Sequence, residues 1–524
     1  MKRSVTTMTL LFTAVSAILG SGWLFAAYYA STIAGPAATL SWIIAAICII
    51  FIAFVFAELT SMLPVMGASA RIPHLTHGTL TGFMYAWVIW LCYASIPPTE
   101  VQAIIQYVSF YHPSLTHQIN GGLTERGYWL ATILMLLISG INAYSLRWLL
   151  RCNNTLTLMK IIFPLVIVAT VFAYYFHPQR IIHPVHSIFF STGIKGVLAA
   201  ISTGGMIYAY NGFTQACEWG GLAKRPGFSL PVAIVGSIII AFIIYVSLQT
   251  AFFTSLQPHN LLHGWEHLTL THANSPLAAI LYQDNLSKLI PLLFVGAVVG
   301  PFAAALIYTS GAAQSLKSKS LNGYLPQFLQ ILSKRHTPIC AVGINFLFGM
   351  LLFAPLPGWG KMMGFLTSLM TFTYTIGPIC LLALRDQAPN QMRPFRLPFG
   401  KWWARIAFFL CTVFSYFNGW DIISKLSVGV FAGIFVLLLY RRLSKRADHH
   451  ALSWQCSIWL WAYIGGLTLI SYLGSFGGGT GILPFGWDLL VIAIFSMSIT
   501  WLAQRFKLPA EETQNYINQL AIEH

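Results

Sequence analysis

The chain has 524 residues, of which 57% are hydrophobic and 8% charged, with a formal net charge of +16 and a mean hydropathy of +0.71. Soluble globular chains carry about 25% charged residues, so this composition excludes an ordinary water-soluble domain. It implies a polytopic integral membrane protein, all-α because a helix satisfies its own backbone where lipid offers no partner.

A span needs about 20 apolar residues. By that measure the sequence predicts about fourteen segments, at 8–29, 40–63, 80–108, 128–147, 156–176, 193–217, 230–254, 288–315, 338–354, 362–384, 402–420, 423–440, 454–473 and 487–506. With a cytoplasmic N-terminus, 23 of the 29 lysines and arginines fall on the inner side. Only Arg126, Arg180, Lys195, Lys288, Lys361 and Lys425 fall outside. This asymmetry follows the positive-inside rule and places both termini in the cytoplasm. It also accounts for the basic charge without a nucleic-acid partner. A cleaved signal peptide is the rival reading of residues 1–25, but no clean small-x-small site precedes a soluble domain.

None of the eight cysteines falls in a predicted external loop, so no disulfide framework is expected. No cysteine or histidine spacing suggests a metal; His259, His263, His267 and His272 read as part of a solvated outer loop. The stretch GSFGGGTGILPFG before the last segment lacks the lysine of a phosphate-binding loop. It reads as a tight turn, and no cofactor is expected.

The first segment is interrupted at Gly20-Ser21-Gly22. Two glycines around a serine at mid-depth open a membrane helix at low cost. The freed N–H groups of the new half-helix favour a carboxylate. Close packing through small residues is the plainer alternative. The sixth segment, ISTGGMIYAYNGFTQACEWGG, is interrupted at Gly204, Gly205, Asn211 and Gly212. Breaks in the first and sixth segments suggest an inverted repeat of five plus five helices, with a binding site between the breaks.

Ionisable residues inside a bilayer are costly and so are functional suspects. Glu58 lies late in the second segment and reads either as a gating carboxylate or as an interfacial one paired with a loop arginine such as Arg71. Glu100 follows Pro97-Pro98, which should kink the third segment; it could carry a proton or sit at the interface. Lys160 stands near the inner start of the fifth segment. It either snorkels to the surface or is buried and exchanges a proton. Glu218 closes the sixth segment beside Lys224 and Arg225, where a helix-end ion pair is the plainer reading.

At these residues the chain resembles the amino acid–polyamine–organocation (APC) superfamily of permeases. AILGSGWLF is similar to that family's unwound first helix and YAYNGF to its sixth-helix break. AELTSMLPVMGA resembles its second-helix ending and TLMKIIFP its lysine-bearing fifth helix. The STGG run and SYLGSFGGGTGIL are similar to the bacterial aspartate–proton symporter branch.

The resemblance implies a LeuT-like fold. Residues 1–384 would form a ten-helix transport core, with repeats at about 1–176 and 193–384. Further membrane helices would occupy 385–506 and a cytoplasmic tail 507–524. It implies a bacterial inner-membrane carrier that takes up an L-amino acid with protons, aspartate being one candidate. N–H groups around Gly20, Ser21, Gly22 and Trp23 would take the substrate α-carboxylate. Carbonyls near Ile207, Tyr208 and Tyr210, beside Asn211 and Gly212, would take the α-amino group. Lys160 would stand where sodium-coupled relatives hold a cation. The chain departs from the family at the sixth-helix ending, where Leu222 fills the usual glutamate position and Glu218 lies four residues earlier.

Two alternatives stay open. One is an exchanger swapping one amino acid for another or for an amine. The other is a membrane-embedded enzyme, which needs a nucleophile or metal with a base inside the bilayer. All 15 histidines fall in predicted loops or tails, and neither HExxH nor GxSxG is present. Those observations favour a carrier over an enzyme.

Overall fold

The computed structural model of the protein describes residues 5–118, 120–144, 146–175, 189–321, 323–333, 337–443 and 452–523. Lys2, Arg3, Arg180, Lys334, Arg335, Lys445 and Arg446 of the charge argument lie outside the described residues. Regular structure among the described residues is helical, with isolated bridges such as Val5–Ala223 and no strands. Ten described helical runs are long and apolar enough to cross a membrane, and the shorter apolar helices Thr7–Ile18, Gly193–Thr203 and Ile339–Leu352 accompany them.

The first predicted segment is two helices, α1 (Thr7–Ile18) and α2 (Gly22–Ala34). The Thr6 hydroxyl accepts the Thr9 N–H and starts α1, as an N-cap should. Next come α3 (Ala38–Met62) and α4 (Ala68–Val108). α4 begins earlier than the hydropathy suggests, and its non-helical residue is Gly78 (φ 79°, ψ −173°), not the Pro97-Pro98 pair. The Thr99 hydroxyl bonds the Ser95 carbonyl beside those prolines at 2.8 Å. α5 (Glu125–Tyr144) and α6 (Leu146–Tyr175) follow.

The sixth segment is three short helices, α7 (Gly193–Thr203), α8 (Met206–Tyr210) and α9 (Thr214–Glu218). Beyond it lie α10 (Pro226–Ser255), α11 (Pro276–Gln283), α12 (Ile290–Leu321) and α13 (Ile339–Leu352). α14 (Trp359–Tyr374) and α15 (Ile376–Gln387) share one predicted segment. The chain finishes with α16 (Gly400–Phe417), α17 (Trp420–Leu443), α18 (Ile458–Leu473), α19 (Trp487–Arg505) and α20 (Ala510–Glu523).

Burial sorts these helices. α4 and the α14–α15 run are almost wholly enclosed, whereas α5, α6, α17 and α19 keep most of their apolar surface outward. Val428 and Phe435 on α17 are 70% and 65% exposed. A continuous apolar exterior on helices of this length suits hydrocarbon, not water. α4 packs on α12, α3 and α1 pack on α10, and α7 packs on α2 and α3. Both described chain ends lie at one end of the bundle. Val5 pairs with Leu222 and Lys224 through main-chain bonds of 2.9 and 3.0 Å. The Glu218 carbonyl beside that pair takes the Gly67 N–H, and the Thr513 hydroxyl of α20 bonds the Leu75 carbonyl.

Candidate functional site

The centre of the molecule is the meeting of the two interruptions. α1 ends at Ile18, Gly20 N–H turns back to the Ile18 carbonyl at 2.9 Å, and helix resumes at Gly22. In the sixth segment Gly205 (φ 86°) and Gly212 (φ 131°) take backbone conformations that disfavour side chains. The breaks touch. A methyl group on Gly22 would press on Ala209, and one on Gly212 would collide with the Ala17–Ile18 backbone. The Tyr245 hydroxyl on α10 reaches the Ile18 carbonyl at 3.2 Å and the Ala209 carbonyl at 3.0 Å. One side chain thus reaches carbonyls from both broken segments, which answers the question of where their freed polar groups go.

Around the first break the polar groups converge on Ser21. Its Oγ accepts Trp359 Nε1–H at 2.8 Å and lies 3.1 Å from the Tyr208 hydroxyl. That hydroxyl donates to Glu100 Oε1 at 2.8 Å. Trp359 stacks on Phe25 (centroids 4.7 Å apart) and meets Tyr208 edge-on at 5.5 Å. On the other side of the break, Lys160 is buried. Its Nζ donates to the Ser16 carbonyl at 2.8 Å and to Ser16 Oγ at 3.3 Å. Lys160 therefore does not snorkel; its ammonium takes up a carbonyl near the end of α1. Glu100 and Lys160 act on one another electrostatically across the break.

At the second break, Asn211 donates to the Tyr308 hydroxyl at 3.2 Å and accepts the Tyr374 hydroxyl at 2.8 Å. Tyr308 meets Tyr93 edge-on at 5.4 Å, and the Tyr93 hydroxyl lies 3.5 Å from Glu218 Oε1. Polar side chains thus run from Asn211 to the far end of α9. Glu218 faces Tyr93, while Lys224 and Arg225 are exposed. The expected helix-end ion pair gives way to a hydroxyl contact.

The remaining expected residues are distributed as follows. The Trp23 ring lies against Gly296 and Gly300 of α12, and a Cβ at Gly296 would crowd it. Ile207 is fully buried in the core. The Tyr210 ring packs on Trp42 and Tyr245, with its hydroxyl 3.4 Å from the Trp42 carbonyl. Glu58 belongs to a separate cluster. Arg385 grips both its oxygens at 3.1 and 2.7 Å, the Leu397 N–H donates at 2.8 Å, and Arg393 lies 3.5 Å away. The sequence pointed to Arg71 for this pairing; the guanidinium groups come instead from the end of α15 and the connector after it.

Sequence reasoning missed Trp359, Tyr245, Tyr308, Tyr374 and Ser16. Trp359 and Tyr245 are aromatic residues among many, and nothing local marks them. The enclosed centre offers opened backbone, hydroxyls, one carboxyl group and one ammonium within a low-dielectric interior. Such a set can hold a small zwitterion and move a proton.

The family model described as amino acid permease matches residues 5–441. The glutamate/serine transporter AimA of Bacillus subtilis is 30% identical over 510 residues, covering 94% of this chain and 92% of the relative. The aspartate-proton symporter of Bacillus subtilis is 29% identical over 510 residues, covering 97% of each chain. The branched-chain amino acid permease BcaP of the same organism is 24% identical over 457 residues, covering 84% and 94%.

Proposed function

The chain belongs to the amino acid permease family, and from that premise we propose that it takes up an L-amino acid by proton-driven alternating access. The relatives carry transporter names, and the enclosed centre has no need of an enzyme's chemistry to account for it. The observation that carries the reading is the contact of two opened helices, bridged by Tyr245 and flanked by a buried carboxyl group and a buried ammonium. The N–H groups at Ser21 and Gly22 would receive the substrate carboxylate, favoured by the half-helix dipole. The α-amino group would face the carbonyls of the sixth-segment break near Tyr208 and Tyr210.

Lys160 supports a proton as the coupling ion. Its ammonium sits on the Ser16 carbonyl, where a bound cation would otherwise serve. Losing its proton would release α1 and let that half-helix tilt. Glu100 is the second titrating group at the same place. Aspartate suits one relative's name, glutamate or serine another's. An acidic side chain needs a cationic or multi-donor partner, and Lys160 is the buried ammonium at the described site. Residues 1–384 are read as the transport core, and both termini as cytoplasmic in a bacterial inner membrane.

The test is uptake of a labelled amino acid panel into proteoliposomes, with proton and sodium gradients imposed separately. Accumulation driven by a proton gradient supports the proposal. Accumulation driven by sodium alone would remove Lys160 from its role. Uptake that requires amino acid preloaded inside the vesicle would make the protein an exchanger.

A further inference from the structure

Glu100 reaches from α4 to the opening of the first helix. Its Oε1 accepts the Tyr208 hydroxyl and lies so close to Gly20 that a methyl group there would overlap it. The same Tyr208 hydroxyl lies 3.1 Å from Ser21 Oγ, so the carboxyl group stands one hydroxyl away from the helix opening. Oε2 is buried without a hydrogen-bond partner, although Glu100 as a whole is only 2% exposed. An orphaned oxygen on a buried carboxyl group needs an explanation, because leaving it unmade costs about 1–3 kcal/mol or more. Glu100 thus holds the Tyr208 hydroxyl and the space beside the half-helix terminus, both of which an incoming carboxylate would want.

Resting on the transport reading above, we infer that Glu100 is a built-in stand-in for the substrate α-carboxylate, occupying the opening of the first helix in the empty carrier until a proton neutralises it and the substrate takes its place. Two carboxylates cannot both stay ionised at one helix terminus, since each raises the cost of the other's charge. A proton on Glu100 removes the repulsion and loosens its hold on Tyr208. It also turns the orphaned carboxyl group into a donor that can bond the arriving carboxylate. One proton enters with each substrate. When the substrate leaves on the other side, Glu100 ionises and returns to the helix opening, so the empty carrier resets without a leak at its centre. Gly20 is required because any side chain there would occupy the space Glu100 uses.

The titratable groups facing Glu100 are Lys160 on α6, Tyr208 on α8, Tyr245 on α10 and Tyr308 on α12. Lys160 is the cation among them and is the rival proton site that a test must separate. The readout is amino acid binding to the purified full-length protein between about pH 5 and 8. Tryptophan emission reports it, since Trp359 bonds Ser21 directly.

The wild type should bind more tightly as pH falls, by about tenfold per unit while Glu100 is ionised. Glu100→Gln should bind with no pH dependence, as tightly at high pH as the wild type at low pH. Glu100→Asp, one methylene shorter, should keep the pH dependence but compete less, binding more tightly than the wild type at high pH. Loss of binding in Glu100→Gln at every pH would mean that Glu100 holds the substrate ammonium, and a wild-type slope in that variant would put the proton elsewhere. Either result overturns the inference alone. Failure of the wild type to bind any amino acid at any pH overturns the transport reading and this inference with it.

Discussion

Glu58 and Glu100 sit on successive helices of the chain, α3 and α4, both buried, and their surroundings could hardly differ more. Arg385 holds Glu58 with two parallel bonds, Arg393 adds a second guanidinium, and Leu397 donates its main-chain N–H. Glu100 accepts one tyrosine hydroxyl on Oε1 and leaves Oε2 without a partner. A buried charge is stable only when paired and fully hydrogen-bonded. Glu58 meets that condition and acts as a clamp between α3 and the α15–α16 connector. Glu100 does not meet it, and that missing partner is the observation behind the exchange of ligands proposed for it. The lesson is that burial alone says little about a carboxylate's role; the count of its satisfied oxygens says more.

The largest expected effect tests the clamp. Glu58→Ala strands two arginines at the buried junction, and breaking such a pair from one side costs about 3–5 kcal/mol. Thermal unfolding of the purified protein should show the loss directly. A change below about 1 kcal/mol, the range of exposed pairs, would break the contrast with Glu100. Next comes Lys160→Ala, which leaves the Ser16 carbonyl without its donor at a cost of about 1–3 kcal/mol. The variant should remain folded in the same melt yet lose proton-driven uptake in proteoliposomes. Unchanged uptake would reduce Lys160 to a structural support for α1.

The contrast also shows what a sequence can disclose. The two interruptions were legible because glycine pairs inside apolar runs are local signals, and the backbone opens at Gly20–Ser21 and again at Gly204–Gly205 and Asn211–Gly212. What the pattern did not disclose is that Met206–Tyr210 re-forms a short helix between two openings. The start of α4 was missed because residues 68–79 mix polar and apolar side chains, so hydropathy alone places the segment too late. Partners were the hardest to read. Arg385 meets Glu58 across 327 positions and Trp359 meets Ser21 across 338. No local spacing encodes such pairs; only the packed bundle brings them together. Lys160 shows both sides: its position marked it as a suspect, while the choice between snorkelling and burial waited for α1 to be placed against α6.

A smaller effect is expected at the bridge between the breaks. Tyr245→Phe keeps the ring packed on Trp42, whose centroid lies 4.9 Å away, and removes only the hydroxyl shared by Ile18 and Ala209. One such hydrogen bond contributes about 1 kcal/mol, which is about fivefold in an equilibrium constant. Substrate binding should weaken by about that factor with little change in melting. No change in binding would mean that the two openings hold their relation without the bridge, and that Gly22 against Ala209 is the contact that sets it.

Asp386 completes the series as the carboxylate in contact with water. Lys401 and Lys507 flank it at 2.5 and 2.7 Å, with the Asp386 side chain 29% exposed and Lys401 50% exposed. Coulomb attraction in water is screened and is offset by the ordering of long side chains. The tail that carries Lys507 has other anchors. Leu508 N–H bonds the Thr76 carbonyl at 2.9 Å, Gln387 donates to both Thr76 and Leu508 carbonyls, and Tyr516 meets His74 edge-on. Lys507→Ala should therefore cost less than about 1 kcal/mol in thermal unfolding and leave uptake unchanged, because main-chain bonds keep the tail on α4. A loss matching that of Glu58→Ala would show that solvent screens this end of the bundle far less than its exposure implies, and that pairing, not burial, governs all three carboxylates.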